Sequence, residues 1–129
     1  MSSKLYTTYA SNLKNVPKGV VICSIMQMPL AFMKKEGIVN IPQLAPLTKN
    51  LVAYKRGGSW ETFEAKFKEQ MYSNKDTIDY LILLMEALDE DDNDVCLVCC
   101  EKDNTYCHRR LIAEYLRDLG YQVEELPTG

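Results

Sequence analysis

Four of the five cysteines, the only histidine and two adjacent arginines of this 129-residue chain fall within sixteen residues. These are Val95-Cys96-Leu97-Val98-Cys99-Cys100-Glu101-Lys102-Asp103-Asn104-Thr105-Tyr106-Cys107-His108-Arg109-Arg110. Thiols, an imidazole and a carboxylate this close together are the residue types of nucleophilic and acid–base chemistry. A β-branched apolar run leads into the stretch and an amphipathic helical pattern leads out of it. The layout predicts a strand, a short loop and a helix N-terminus, where α/β proteins seat anions and reactive groups. Free backbone N–H groups and the helix dipole would add partial positive charge there, and Arg109 and Arg110 full charges. Arg109 is therefore expected to anchor a phosphate or carboxylate, with Arg110 toward solvent. The competing expectation is that both arginines pair with Glu101, Asp103 or other acidic residues.

Each remaining group has an expected role. His108, with a reference pKa near neutrality, is the candidate general acid or base. Glu101 would orient His108 or activate water. Cys99 or Cys107 would be a nucleophile or a wall of the site, with Cys107 the more activated by a helix N-terminus and nearby arginine. Thr105 is the expected N-cap of the following helix, with Asn104 and Asp103 as competitors. Nine residues separate Cys99 from Arg109, and the loop is charged rather than glycine-rich. That counts against a phosphatase-like or rhodanese-like loop, which needs the thiolate and arginine close in sequence. A Cys99–Cys107 redox pair is another option. Zinc on Cys99, Cys107 and His108 is considered too. Adjacent residues diverge on a helix, so Cys107 and His108 are expected to point apart and no metal is assigned. The motifs GxxxxGK[ST], GxGxxG and GxSxG are absent, which argues against P-loop, dinucleotide-binding and serine-hydrolase chemistry.

The formal net charge of −3 argues against a dedicated nucleic-acid binder. The longest apolar run, residues 80–85, is too short to span a bilayer, and no hydrophobic signal core opens the chain. A cytoplasmic location is expected, with no membrane partner. Five cysteines without a signal peptide predict reduced thiols. Cys23 and Cys96 lie in apolar runs and read as small buried hydrophobes. The acidic run 89–94 reads as a solvated turn. A homodimer is compatible with the size, though nothing in the sequence demands one.

The elements that must position these groups follow from periodicity. Residues 5–10 read as a first strand. Residues 19–25 form a continuous apolar run that suits a strand buried on both faces. Residues 26–41 carry prolines and a glycine and should be irregular. Residues 44–54 read as a short helix stopped by Gly57-Gly58. Ser59 should cap a second helix whose stripe is Trp60, Phe63, Phe67 and Met71. A third begins at Asp76 or Thr77, with Ile78, Leu81, Ile82, Met85 and Leu88 as its apolar face. Residues 95–99 form a central strand, and Leu111, Ile112, Tyr115, Leu116 and Leu119 are the stripe of the last helix, ended by Gly120. Residues 121–126 alternate as an edge strand. Strands separated by helices predict a mostly parallel sheet of three to five strands, in one compact Rossmann-like α/β three-layer sandwich spanning residues 1–129.

Leu97-Val98-Cys99-Cys100-Glu101-Lys102-Asp103, followed by Cys107-His108-Arg109-Arg110-Leu111-Ile112-Ala113, resembles the C-terminal signature of the bacterial and phage family known as domain of unknown function 488. Lys4 to Leu13 is similar to that family's opening strand and loop. Ala45-Pro46-Leu47 through Tyr54-Lys55, with Gly58-Ser59-Trp60 and Phe63, is similar to its middle segment. The resemblance implies an α/β fold and a shared site of Cys99, Glu101, Cys107, His108 and Arg109. It implies no particular reaction and no known cofactor. Cys100 falls where the family has a small residue, which implies a packing role. Tyr6, Thr8 and Asn12 would face the same pocket if the first strand lies beside the Val95 strand; the alternative is ordinary strand-end packing and capping. Lys55 could reach a phosphate or be a plain surface lysine.

The first functional expectation is a small enzyme acting on an anionic, nucleotide-like molecule at residues 99–110. The alternatives are a binding module without turnover, for a nucleotide or a partner protein, and, last, a zinc-binding domain.

Overall fold

A computed structural model describes residues 3–27, 37–90 and 93–128. Strands Lys4–Tyr9 (β1), Val21–Ser24 (β2), Ile38–Asn40 (β3), Val95–Cys99 (β4) and Gln122–Glu125 (β5) form one parallel sheet in the order β3-β2-β4-β1-β5. Helices Thr48–Lys55 (α1), Trp60–Ser73 (α2), Lys75–Asp89 (α3) and His108–Asp118 (α4) flank it in a compact three-layer α/β fold. All five residues of β4 are buried. A strand can bury both its faces only at the centre of a covered sheet, and β4 lies between β1 and β2. The registers Tyr9↔Cys99 and Ser24↔Val98 bring the carboxyl ends of these three strands together. Parallel sheets place ligands beyond that edge.

Local chemistry explains most boundaries. Ser59 Oγ accepts from the Thr62 N–H at 3.1 Å and caps α2. Asn74 Oδ1 accepts from the Thr77 N–H at 3.1 Å, so α3 starts slightly ahead of the expected Asp76 or Thr77. The first helix starts later than expected. Pro46 disfavours helical backbone at Ala45, whose ψ is 157°, so residues 42–44 form a separate 3-10 turn and α1 begins at Thr48. Gly57, at φ +107°, takes the left-handed position after the Arg56 C-cap.

The α3 face is rotated from expectation. Leu84 is buried with Leu81 and Leu88, whereas Ile82 is 44% exposed. The stretch expected to be irregular contributes β3 at its end, because three residues are too few to show a period. The rest of that stretch, 28–36, and residues 91–92 of the acidic run lie outside the described residues. Of that run, Asp89 accepts from the Tyr121 hydroxyl at 2.6 Å and Asp94 from the Lys4 N–H at 2.8 Å. Among the described residues no helix is long and apolar enough to cross a membrane.

Candidate functional site

Cys99 is the last residue of β4. The chain then runs through an exposed loop into a 3-10 turn at Asn104–Tyr106, capped by Asp103, whose Oδ1 accepts from the Thr105 N–H at 2.9 Å. Cys107, rather than Thr105, is the N-cap residue of α4, and its backbone is extended (φ −133°, ψ 141°). This conformation overturns the expectation that Cys107 and His108 diverge. The 100° step between neighbours holds only inside a helix, and Cys107 is outside it. Its Sγ lies 4.0 Å from His108 Nδ1. Cys99 and Cys107 meet sulfur to sulfur as a disulfide, with Cα atoms 7.8 Å apart, so the expectation of reduced thiols holds for Cys23, Cys96 and Cys100 but not for this pair. The ligand-capable atoms of Cys99, Cys107 and His108 all lie within 4.8 Å of one another.

Orientation of the ring comes from far along the chain. His108 Nε2 lies 2.7 Å from the Ile25 carbonyl, just beyond β2. A carbonyl only accepts, so Nε2 carries the proton and the Nδ1 lone pair turns toward the sulfurs. Glu101, expected to orient His108, does not do so. Burial holds the His108 pKa down at about 4; the Arg109 charge adds to this, against the Ile25 carbonyl and Glu101. The ring is neutral near pH 7 and packs edge-on against Phe67, centroids 5.5 Å apart.

Arg109 does not stand ready for an external anion. It is fully buried, and it forms a bidentate pair with Glu125 at 3.1 and 2.8 Å. It also donates to the Glu101 carbonyl, to the Lys102 carbonyl at 3.2 Å and to Cys99 Sγ at 3.1 Å. Thr7 Oγ1 donates to the same Glu125 carboxylate. A guanidinium on the core-facing side of α4 cannot remain buried without such partners. Glu125 was not foreseen, although a carboxylate in an alternating edge strand is a visible signal. Arg110 pairs instead with Glu114 at 2.8 Å, donates to the Thr105 carbonyl at 3.0 Å and lies over the Trp60 ring.

Tyr6, Thr8 and Asn12 are not brought into this site. Partnered residues of parallel strands share a face and successive residues alternate, so Tyr6 and Thr8 lie with Cys96 and Val98, opposite Cys99. Asn12 Nδ2 donates to Thr8 Oγ1 at 2.9 Å and to the Pro127 carbonyl at 3.1 Å, while its Oδ1 accepts from Asn15. These side chains tie the strand end to the C-terminal segment. The β1 residues on the Cys99 face are Leu5, Thr7 and Tyr9, of which Tyr9 is level with Cys99.

A cleft of about 530 Å³ opens over the thiols and imidazole. Its walls are largely apolar and come from Met26, Pro46 and Leu51; Gln27, Thr48, Lys55 and Glu101 add polar atoms, and Cys99, Cys107 and His108 line it from the β4–α4 side. Lys55 Nζ meets Glu101 Oε1 at 3.1 Å, with both side chains about half exposed. So wet a pair is weak, and Lys55 can exchange its partner. Met26 and Gln27 carry no signal in the sequence, and Pro46, Thr48 and Leu51 lie in the segment that resembles the family without any mark of a site, because elements far apart in the chain bring them to the cleft.

Cys100 also lines the cleft. It is exposed rather than packed, and burial of its sulfur, then Glu101, push its thiol pKa up. Cys23 and Cys96 are buried, and desolvation pushes them up to about 11 and about 12.

Residues 5–120 match the active DUF488-N3 subclade, a span that contains every group converging on the cleft. No curated protein and no solved structure matches the chain. The strand-ending Cys99, the Cys107-His108 pair and the parallel sheet that unites them thus sit inside a match covering most of the molecule, and the chain belongs to the DUF488 family.

Proposed function

We propose that the protein is a small enzyme acting on an anionic, nucleotide-like molecule held in this cleft. The observation that carries the reading is the convergence of Cys99, Cys107 and His108 on a cleft that Lys55 and Glu101 also line. The apolar wall of Met26, Pro46 and Leu51 suits a flat ring, and Lys55 suits the anion. The Nδ1 lone pair of neutral His108 faces the sulfurs, which supports a role in accepting a proton from a thiol. Arg109 donates to Cys99 Sγ at 3.1 Å, which supports a fixed position for that sulfur. Glu101, a carboxylate lining the same cleft, would activate water. The family match describes an active subclade, which supports turnover over binding alone. Three further free thiols suit a reducing compartment such as the cytoplasm.

A second reading has its own observation. While Cys99 and Cys107 are bridged, neither can attack, so the oxidised protein would bind its ligand without turning it over.

The test is to incubate the reduced protein with pools of nucleotides and phosphorylated metabolites and follow them by mass spectrometry. One compound should be consumed, and His108→Ala should slow this by about 10²–10⁴-fold with the fold intact. A ligand that binds and returns unchanged supports the binding module. Full activity in His108→Ala overturns the role assigned to His108.

A further inference from the structure

We propose that Cys99, Cys107 and His108 form a binding site for a zinc-like divalent ion, with one coordination position open to the cleft. Three observations carry it. First, the two sulfurs and the imidazole nitrogen lie within 4.8 Å of one another, although Cys99 and Cys107 are eight residues apart. Two thiolates bound tetrahedrally at about 2.3 Å from one ion stand roughly 3.8 Å apart, which this cluster can accommodate. The Cα separation of 7.8 Å is wider than the roughly 4.4–6.8 Å usual in disulfides, so the backbone suits sulfurs that flank a shared atom.

Second, the ring is already set as a ligand. Metal-binding histidines typically donate their other nitrogen to a carbonyl or carboxylate. His108 donates Nε2–H to the Ile25 carbonyl at 2.7 Å, and this aims Nδ1 at the sulfurs. Third, buried Arg109 donates from Nη1 to Cys99 Sγ at 3.1 Å, which fixes that sulfur at the mouth of the cleft beside His108.

Two thiolates and one imidazole are a soft donor set that selects zinc over magnesium or calcium. Three protein ligands with an open position mark a catalytic rather than a closed structural site. The inference deepens the cleft reading and rests on it for the reaction class. With the sulfurs and His108 Nδ1 all occupied as ligands, neither the thiols nor His108 would act on substrate in the loaded protein; the nucleophile would be water on the ion, and the chemistry would be hydrolysis. Glu101, which lines the same cleft, would take the proton of that water, the hydroxide would add to an electrophilic carbon or phosphorus of the substrate, and the leaving group would depart with that proton. Loading begins from the open pair. A phosphine reductant and one water convert the disulfide to two thiols and a phosphine oxide, and each thiol releases a proton as the ion binds.

The test is a cobalt(II) titration of the full-length protein, reduced with a phosphine and with no substrate present. The expected result is uptake of one equivalent, with sulfur-to-cobalt charge transfer in the near ultraviolet and tetrahedral ligand-field bands in the visible. Cys99→Ser and Cys107→Ser should each weaken binding by more than about a hundredfold, since loss of a mere second-shell partner already costs about 10–100-fold. Cys100→Ser should leave it unchanged. If the ligand variants fail to fold, the wild type still decides the matter: zinc should protect Cys99 and Cys107, but not Cys100, from alkylation mapped by mass spectrometry. Absence of charge transfer in fully reduced protein, or bands that survive both serine substitutions, would overturn the site. Turnover undiminished after chelation would also sink it while leaving the enzyme reading intact. Cobalt uptake without turnover of any candidate would sink the enzyme reading alone.

Discussion

The two faces of the sheet at the carboxyl ends of β1 and β4 carry polar side chains of opposite character. On one face Thr8 and Asn12 are buried and hydrogen-bonded to each other, with Asn12 also bonded to the Pro127 carbonyl. Their bonding is directed inward and ties chain segments together. On the other face Cys99 and Cys107 meet as a disulfide beside the His108 ring, and all three line a cleft. Buried polar groups normally satisfy one another, and where sulfur and imidazole lone pairs instead gather at an opening, chemistry is the more economical reading. Arg109 belongs to both kinds. It is as closed as Asn12 toward Glu125 and the loop carbonyls, yet it touches Cys99.

The largest way to break this contrast is Arg109→Leu. If Arg109 is a structural clamp, its loss leaves Glu125 and the loop carbonyls without their donor and costs about 3–5 kcal/mol, read as a lowered urea midpoint. A variant of wild-type stability that loses ligand binding would restore Arg109 as the anion anchor. Asn12→Ala comes next. Removing the donor of two buried bonds should cost about 1–3 kcal/mol, with cobalt and ligand binding unaltered, because the residue faces away from the cleft. Impaired cleft binding in a folded Asn12→Ala protein would show that the two faces are coupled.

The thiols sharpen the comparison by pH. Cys96, on the Thr8 face, has its pKa raised by burial from 9.0 to about 12. The folded chain holds that proton where the unfolded chain releases it. Stability is therefore full below about pH 9 and declines as pH rises toward about 12, by on the order of 1 kcal/mol at pH 10. The same burial should leave Cys96 unalkylated in native protein while Cys100 reacts, as mass spectrometry would show. Modification of Cys96 at neutral pH would mean that its face opens. The smallest expected effect is that of Lys55→Ala. Its exposed pair with Glu101 is worth no more than about 0.5 kcal/mol, so thermal stability should barely change. Ligand affinity should nevertheless fall if Lys55 holds the anion, and unchanged affinity in calorimetry would remove Lys55 from the site.

Sequence alone determined the elements around the site, because the signals are local. The apolar run of β4, the Ser59 cap, the turn glycines Gly57 and Gly120 and the Leu111–Ile112–Leu116 stripe each act through neighbours a few residues away. It also put Cys99, Cys107 and His108 within one short stretch, and the fold brings their ligand-capable atoms within 4.8 Å of one another. Tertiary structure decided the rest. Strand order and pleat turned Thr8 away from Cys99. The inward side of α4 and the edge strand β5 buried Arg109 on Glu125. The extended N-cap of α4 swung Cys107 toward His108. The acceptor that orients His108 is Ile25, 83 residues earlier. Helical and strand periods encode which side of an element is buried, but not what lies opposite it. That partner depends on which strands pair, and here the chain returns to place β4 between two strands formed long before it.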